Sequence, residues 1–376
     1  MNQSARPDTQ PVIEGMPVDS ADAQLGQSGV DVQPARGAWT GAVAQLTMLR
    51  QNVDLIRPQM APLVAPGILC AVATLLVEHR SVNWFIAICT LLACLFAQAG
   101  VGALNSSERL NFAPPDASYP ALQRRFGAVF GSDQGQAGDA LHTFAFRLGC
   151  VLIGVAVVCS APIIFAGPVP AMLVMGLGIL AIALLGVDFV RHWMAPFDEF
   201  VGPICLGPGL VLLTVGAQGY RMSMLEWGVA VALGCMALAF TEGRRLRVDL
   251  PDPADKAQSV DSEYTPGASR SLAMLFGRRV ATMVAATALV VAYGFSIVLS
   301  LPRVGAPGAL LAITSLPVAV IALSGLATSD FEPTRRAASN RLAAVYSWYG
   351  LALAVGMAFT VLGEYITSII MRAIGA

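Results

Sequence analysis

Long apolar runs, separated by polar links, follow one another along most of the chain. A bilayer core needs about 20 apolar residues in a helix, and a spanning segment must satisfy its own backbone hydrogen bonds. We therefore predict an all-α membrane protein with nine transmembrane helices. The predicted spans are 59–77, 83–104, 148–166, 168–187, 200–219, 224–240, 280–301, 304–327 and 342–363.

The links alternate in length. Those after spans one, three, five and seven are very short, and the others are longer: 105–147, 188–199, 241–279 and 328–341. All long links then lie on one side of the membrane. The short-link side carries only Arg80, Arg221, Arg303 and Arg372 among the basic residues near the spans. The positive-inside rule predicts a multi-pass protein of the cytoplasmic (inner) membrane, with its N-terminus cytoplasmic and its C-terminus outside.

Composition agrees with a membrane protein, because 56% of the 376 residues are apolar and only 12% are charged. The net charge of −1 gives no reason to expect nucleic acid as a partner. Residues 1–45 lack an apolar period and predict a disordered cytoplasmic tail, which leaves 46–376 as the membrane domain. The seven cysteines lie inside apolar runs, without a CxxC pair, and are interpreted as packing residues.

Two long links carry the chemistry that could form a site. The first begins with NSSERLNFAPPD (105–116), interpreted as the start of a polar loop at the mouth of a helix, and the second with TEGRRLRVDLPDPADK (241–256). Grouped carboxylates suit Mg²⁺, and arginines suit phosphate oxygens. The alternative is a solvated, mixed-charge surface. Within span five, Pro203 and Pro208 predict a kinked helix.

Several segments resemble the UbiA superfamily of intramembrane aromatic prenyltransferases, and most closely its dihydroxynaphthoate (menaquinone) branch. LIRPQMAPLVAPGIL is similar to the opening Arg-Pro segment of the family, and AQAGVGALNSSERLN to the helix that enters the first acidic motif. DEFVGPICLGPGLVLLTVGAQG is similar to the fifth helix of the family, and the second link takes the place of the second acidic motif. The resemblance implies a UbiA-like bundle with a pocket open to the cytoplasm.

The resemblance also implies roles for individual residues. The family motif Asn-Asp-x-x-Asp falls here on Asn105, Ser106 and Arg109, and the aspartate pair of the second motif falls on Arg245 and Asp249. Mg²⁺ is the implied cofactor, although the first acidic motif lacks its aspartates. An arginine beside Mg²⁺ would repel it, so these substitutions favour direct anion binding.

The expected function is transfer of the prenyl group of a polyprenyl diphosphate to a small aromatic acceptor, a non-methyl alkyl transfer of isoprenoid or quinone biosynthesis. The catalytic candidates are Asn105, Glu108 and Asp249, and the metal candidates are Asp249, Asp252 and Asp255. The substrate-binding candidates are Arg57, Arg109, Arg244, Arg245 and Glu199. Glu108, Asp116 and Glu242 are further carboxylates that could replace the lost ligands.

Other interpretations stay open at this point. Arg57 can equally mark a helix start, and Glu199 can cap a helix. The chain could instead be a divergent isoprenoid cyclase, or a non-enzymatic scaffold or lipid-binding protein in the membrane.

Overall fold

The computed structural model describes residues 63–112, 134–166, 198–246, 276–302, 304–329 and 332–374. All of these residues belong to one compact unit, Met48–Ala376. Every regular element within them is helical, in agreement with the all-α prediction. The predicted tail, 1–45, lies outside the described residues.

The helices are numbered in chain order, and a π-helical turn and a 3₁₀ segment are named separately. They are α1 (Ala65–Val77), α2 (Trp84–Phe112), α3 (Gln134–Ala166), α4 (Asp198–Ile204), the π turn (Cys205–Gly209), α5 (Leu210–Ala217), α6 (Met224–Arg245), α7 (Arg278–Leu299), the 3₁₀ segment (Pro307–Ser315), α8 (Leu316–Thr328) and α9 (Glu332–Ile374).

Six stretches of the described chain are helical and apolar enough to cross a membrane: Trp84–Leu104, His142–Phe165, Met224–Arg244, Arg278–Leu299, Pro307–Thr328 and Ala337–Ile374. Two predicted spans, 59–77 and 200–219, correspond to the shorter apolar helices Ala65–Val77 and Val201–Ala217. The predicted span 168–187 lies outside the described residues. A multi-pass architecture is therefore supported, whereas the count of nine is not confirmed.

The two short links between α1 and α2 and between α5 and α6 contact each other. We call them link A (78–83) and link B (218–223). The Arg80 Nη1 donates to the Arg221 carbonyl at 3.0 Å, and the Asn83 backbone N–H donates to the Gln218 Oε1 at 2.8 Å. The end of the bundle that holds both links is the short-link end, and the opposite one is the long-link end. Both α2 and α6 start at the short-link end, so they run in the same direction.

α6 is the most deeply buried of the candidate spans, and it contacts α1, α4, the π turn, α7 and α9. Its small residues allow close approach, since a Cβ on Gly207 of the π turn would overlap the backbone of Gly234. Close contacts through small residues are typical of helices in membranes, where van der Waals packing drives association.

The prolines of span five were expected to kink or partly open the helix, and the structure has a local irregularity there. The helix is interrupted by the π turn, which contains Pro208 and follows Pro203. Proline has no backbone N–H and cannot complete the α-helical hydrogen-bond ladder, so the backbone adjusts locally. The Tyr346 hydroxyl of α9 donates to the Leu206 carbonyl in this turn at 3.0 Å.

Several predicted boundaries are wrong. The link after span seven is longer than the two residues predicted, because α7 ends at Leu299 and the 3₁₀ segment begins at Pro307. Gly305, at φ 84°, provides the left-handed turn between them. α9 extends well beyond the predicted span 342–363 at both ends, which the length of the apolar run does not predict.

Candidate functional site

The helices that carry the two resembling motifs end at the same end of the bundle. α2 and α6 both start from the joined links A and B and run to the long-link end. α2 packs mainly on α3 and more lightly on α1 and α5, whereas α6 lies in the centre of the bundle. The ends of α2 and α6 therefore belong to different parts of the long-link end.

The stretch NSSERLN is helical, and its interpretation as the start of a loop is wrong. α2 continues through Asn105, Glu108 and Arg109 as far as Phe112. The reason is local: Glu, Arg and Leu favour helix, and the first helix-breaking residue is Pro114. Separations of three and four residues put these three positions on one side of the helix. Only the backbone is described here.

The second motif also begins inside a helix. The predicted span six ended at residue 240, but α6 runs to Arg245 and takes in Glu242 and Arg244. Arg244 is exposed, and its guanidinium carbon lies 5.7 Å from the centre of the Phe240 ring. A contact of this kind contributes only about 0.5–1 kcal/mol at an exposed site.

Glu242 on α6 was predicted only as a carboxylate that could replace a lost metal ligand, and it was not among the main site candidates. Its side chain is fully buried, with 0% exposure, and it interacts within the fold. Glutamate is almost never buried without a partner. The helical spacing of apolar residues indicates this burial. Ala239 and Leu246 lie three residues before and four residues after Glu242, on the same face of α6, and both are buried.

Arg278 and Arg335 both lie at the long-link end, in different surroundings. Arg278 at the start of α7 is structural, because its guanidinium donates to the Leu326 carbonyl at 2.6 Å and also to the Ser329 carbonyl at the end of α8. Such bonds satisfy carbonyls that a helix end leaves open. Arg335 on α9 is only 7% exposed, and Ser339 one turn later is buried as well. The long-link end thus contains buried charge of both signs.

The remaining predicted residues are less fully described. Arg57, Asp249, Asp252 and Asp255 lie outside the described residues. Glu199 lies in the first turn of α4, and Arg245 lies at the end of α6. Only the backbone of these two residues is described.

A metal site is not formed by the part of the chain that the structure describes. It contains no group of three or more His, Cys, Asp or Glu side chains arranged to hold a metal ion. Glu242 alone does not make up a Mg²⁺ site, which usually needs carboxylates, waters and substrate oxygens together. The predicted metal ligands Asp249, Asp252 and Asp255 lie outside the described residues, and no step is derived through a metal.

The chain was compared with protein families, curated proteins and solved structures. No family model matches the chain, and no curated protein matches it. A solved structure described as a digeranylgeranylglyceryl phosphate synthase in membranes is similar at 13% sequence identity and a TM-score of 0.46, with 82% of this chain and 98% of that chain covered. A TM-score of this size assigns neither function nor residue roles. The comparisons give no support to the dihydroxynaphthoate branch.

Proposed function

We propose that this protein is a UbiA-like membrane prenyltransferase that binds a polyprenyl diphosphate at the long-link end and transfers the prenyl group to a small aromatic acceptor. The observation that carries the proposal is the common direction of α2 and α6. Both helices run toward the same end of the bundle, where α2 carries Asn105 to Arg109 and α6 carries Arg244 and Arg245.

Arginine chemistry takes the leading role in this proposal. A diphosphate carries several negative charges, and guanidinium groups bind phosphate oxygens through forked, charge-assisted hydrogen bonds. Arg244 is exposed at the end of α6, where an anion can reach it. Arg57, Arg109 and Arg245 are the further arginines proposed to bind the diphosphate.

The proposed reaction breaks the bond between the allylic carbon and the diphosphate oxygen, and the electron pair leaves with the diphosphate. A ring carbon of the acceptor then forms the new carbon–carbon bond, and the proton on that carbon is lost to a base. Asn105 and Glu108 would orient the diphosphate, and Glu199 would lie near the acceptor. Positive charge that stabilises the leaving diphosphate contributes several kcal/mol in reactions of this kind, in general about 3 kcal/mol for one well-placed group.

Mg²⁺ belongs to the proposal through Asp249, Asp252 and Asp255, with Glu108 as a further candidate ligand. If these aspartates bind it, the ion neutralises part of the diphosphate charge. If they do not, the arginines alone do so, and the reaction proceeds without the ion.

The decisive experiment measures product directly. Membranes containing the full chain are incubated with prenyl diphosphates of several lengths and a panel of aromatic acids, with Mg²⁺ or with a chelator. Mass spectrometry identifies prenylated products. The variants Arg245→Ala and Asp249→Ala are compared with Arg341→Ala, which removes an exposed arginine of α9 to which no role is assigned.

We expect product from the wild type and from Arg341→Ala, and much less from Arg245→Ala. Product in the chelated sample would assign the diphosphate to the arginines. A rearranged prenyl product without acceptor would indicate the cyclase alternative. No product under any condition, together with unchanged diphosphate binding in the variants, would refute the transferase.

A further inference from the structure

The exposed arginine near the end of α6 lies over a buried ring of the same helix. The guanidinium carbon of Arg244 is 5.7 Å from the centre of the Phe240 ring. The two residues are four apart, so their side chains lie on one face of the helix. Arg244 is exposed, whereas Phe240 is only 3% exposed. The contact therefore joins a charged group at the long-link end to a side chain of the core.

Neighbouring parts of the fold hold the Phe240 ring. The Tyr346 ring of α9 lies 6.4 Å from it, centre to centre, with 34° between the ring planes. Tyr346 is fully buried, and its hydroxyl donates to the Leu206 carbonyl in the π turn. α6 also lies close to α9 at Gly243, where a Cβ would overlap the Leu342 side chain. The position of the ring is thus set by α6, α9 and the π turn together.

An arginine that binds a diphosphate benefits from such a support. Its long side chain has many rotamers, and ordering them opposes binding. The planar guanidinium makes two parallel hydrogen bonds to phosphate oxygens only in a suitable orientation. A ring face attracts the cation and favours one orientation. A phenyl ring also carries no oxygen acceptor that would compete with the phosphate for the N–H donors.

We propose that Phe240 is a positioning residue for Arg244, and that its ring holds the guanidinium in an orientation that binds a diphosphate at the long-link end. The inference rests on the proposed function, because it takes Arg244 as a ligand of the diphosphate. Phe240 acts through Arg244 and not by touching the substrate, since its side chain is buried.

Phe240 also packs in the core, and the two roles have different signatures. A side chain that only packs affects diphosphate binding equally whether or not Arg244 is present. A side chain that acts through Arg244 loses its effect on binding once Arg244 is removed. A double-mutant cycle measures this difference.

Titration calorimetry of the purified full chain in detergent with farnesyl diphosphate provides the cycle. The variants are Phe240→Leu, Arg244→Ala and the double variant. We expect Arg244→Ala to weaken the affinity roughly ten- to a hundredfold, as for the loss of a charge-assisted hydrogen bond. Phe240→Leu should weaken it about two- to fivefold, the size that a cation–π contact at an exposed site supports. In the Arg244→Ala background, Phe240→Leu should cause no further loss.

Two further variants separate the electrostatics of the ring from its shape. Phe295→Leu makes the same change on α7, beside Gly228 at the short-link end, and should leave the affinity at the wild-type value. Pentafluorophenylalanine at position 240 keeps a ring of similar shape but reverses its quadrupole, so the ring face no longer attracts a cation. It should weaken binding at least as much as Phe240→Leu does. Thermal unfolding checks that each variant is folded.

The outcomes distinguish this role from the proposed function. A wild type that does not bind farnesyl diphosphate would overturn the proposed function, and this role with it. Binding that is weakened by Arg244→Ala, but unchanged by Phe240→Leu and by the fluorinated ring, would overturn the positioning role alone. An equal loss from Phe240→Leu with and without Arg244 would assign Phe240 to core packing only.

Discussion

The guanidinium of Arg80 lies 3.5 Å from the carboxylate of Glu226, a side chain with no exposed surface at the start of α6. The same guanidinium lies 2.8 Å from the Glu78 carboxylate and donates to the Arg221 carbonyl. Arg80 therefore joins link A to link B and balances a buried negative charge. This contact fixes α2 and α6 at a common starting level, on which the proposed site at their other ends depends.

We expect Arg80→Ala to destabilise the protein by about 2 kcal/mol, because it leaves the buried Glu226 without its counter-charge. Thermal unfolding in detergent measures the change. Arg221→Ala is the matched control, since only its backbone carbonyl takes part in the contact, and it should unfold like the wild type. Adding Glu226→Gln to Arg80→Ala should recover part of the loss. An unaltered midpoint in Arg80→Ala would show that the ion pair does not stabilise the bundle.

Two glycines of α9 should respond in opposite ways to alanine. A Cβ on Gly356 would overlap the Gly308 carbonyl of the 3₁₀ segment, whereas a Cβ on Gly363 has no neighbour within 4 Å. Gly356→Ala must push two backbones apart, and we expect a loss of about 3 kcal/mol or more. Gly363→Ala should be neutral or stabilising by up to about 1 kcal/mol, because alanine favours helix. Thermal unfolding of the two variants side by side measures this difference. Similar unfolding midpoints would contradict the close contact of α9 with the 3₁₀ segment at Gly356 and Gly308.

Removing the Tyr346 hydroxyl should destabilise the π turn. Tyr346→Phe leaves the Leu206 carbonyl without this bond in a partly buried site, at a cost of about 1–2 kcal/mol. Tyr365→Phe removes an exposed hydroxyl from the same helix and should have no effect. Hydrogen exchange of residues 204–210 is the more specific measurement, and we expect faster exchange there in Tyr346→Phe only. Unchanged exchange would mean that the π turn is held by other contacts.

Arg244→Ala should weaken prenyl transfer if Arg244 binds the diphosphate. A charge-assisted hydrogen bond contributes about 1.5–3 kcal/mol, so kcat/KM should fall by roughly ten- to a hundredfold. Arg244→Lys keeps the charge but loses the forked geometry, and it should recover only part of the activity. Arg341→Ala is the control, as an exposed arginine with no assigned role. Equal activity in Arg244→Ala and Arg341→Ala would remove Arg244 from the site.

The pattern of apolar and polar positions, and the lengths of the apolar runs, were sufficient to predict the coarse architecture. They predicted helical spans, links A and B on one side, and the break near Pro208, all of which the structure contains. They failed at the ends of helices. α2 and α6 continue into segments interpreted as links because Glu, Arg and Leu sustain a helix in water as well as in a membrane. An apolar run gives the buried length of a helix, not the place where its hydrogen-bond ladder stops.

The site was less predictable than the fold. Side chains predicted to bind metal fall outside the described residues, so that prediction stays untested. The burial of Glu242 and Arg335 was not predicted. Loop composition treats every charged residue near a span as solvated, whereas these two are enclosed by neighbouring parts of the fold.

The sequence by itself determined that this chain is a helical, multi-pass membrane protein, because apolar length and backbone hydrogen bonding are local properties. Only the tertiary structure decided which charges are buried, that Arg80 balances Glu226, and that Gly308 meets Gly356. These relationships join residues far apart in the chain. Their free energies depend on how closely whole helices approach one another, which no local pattern of residues specifies.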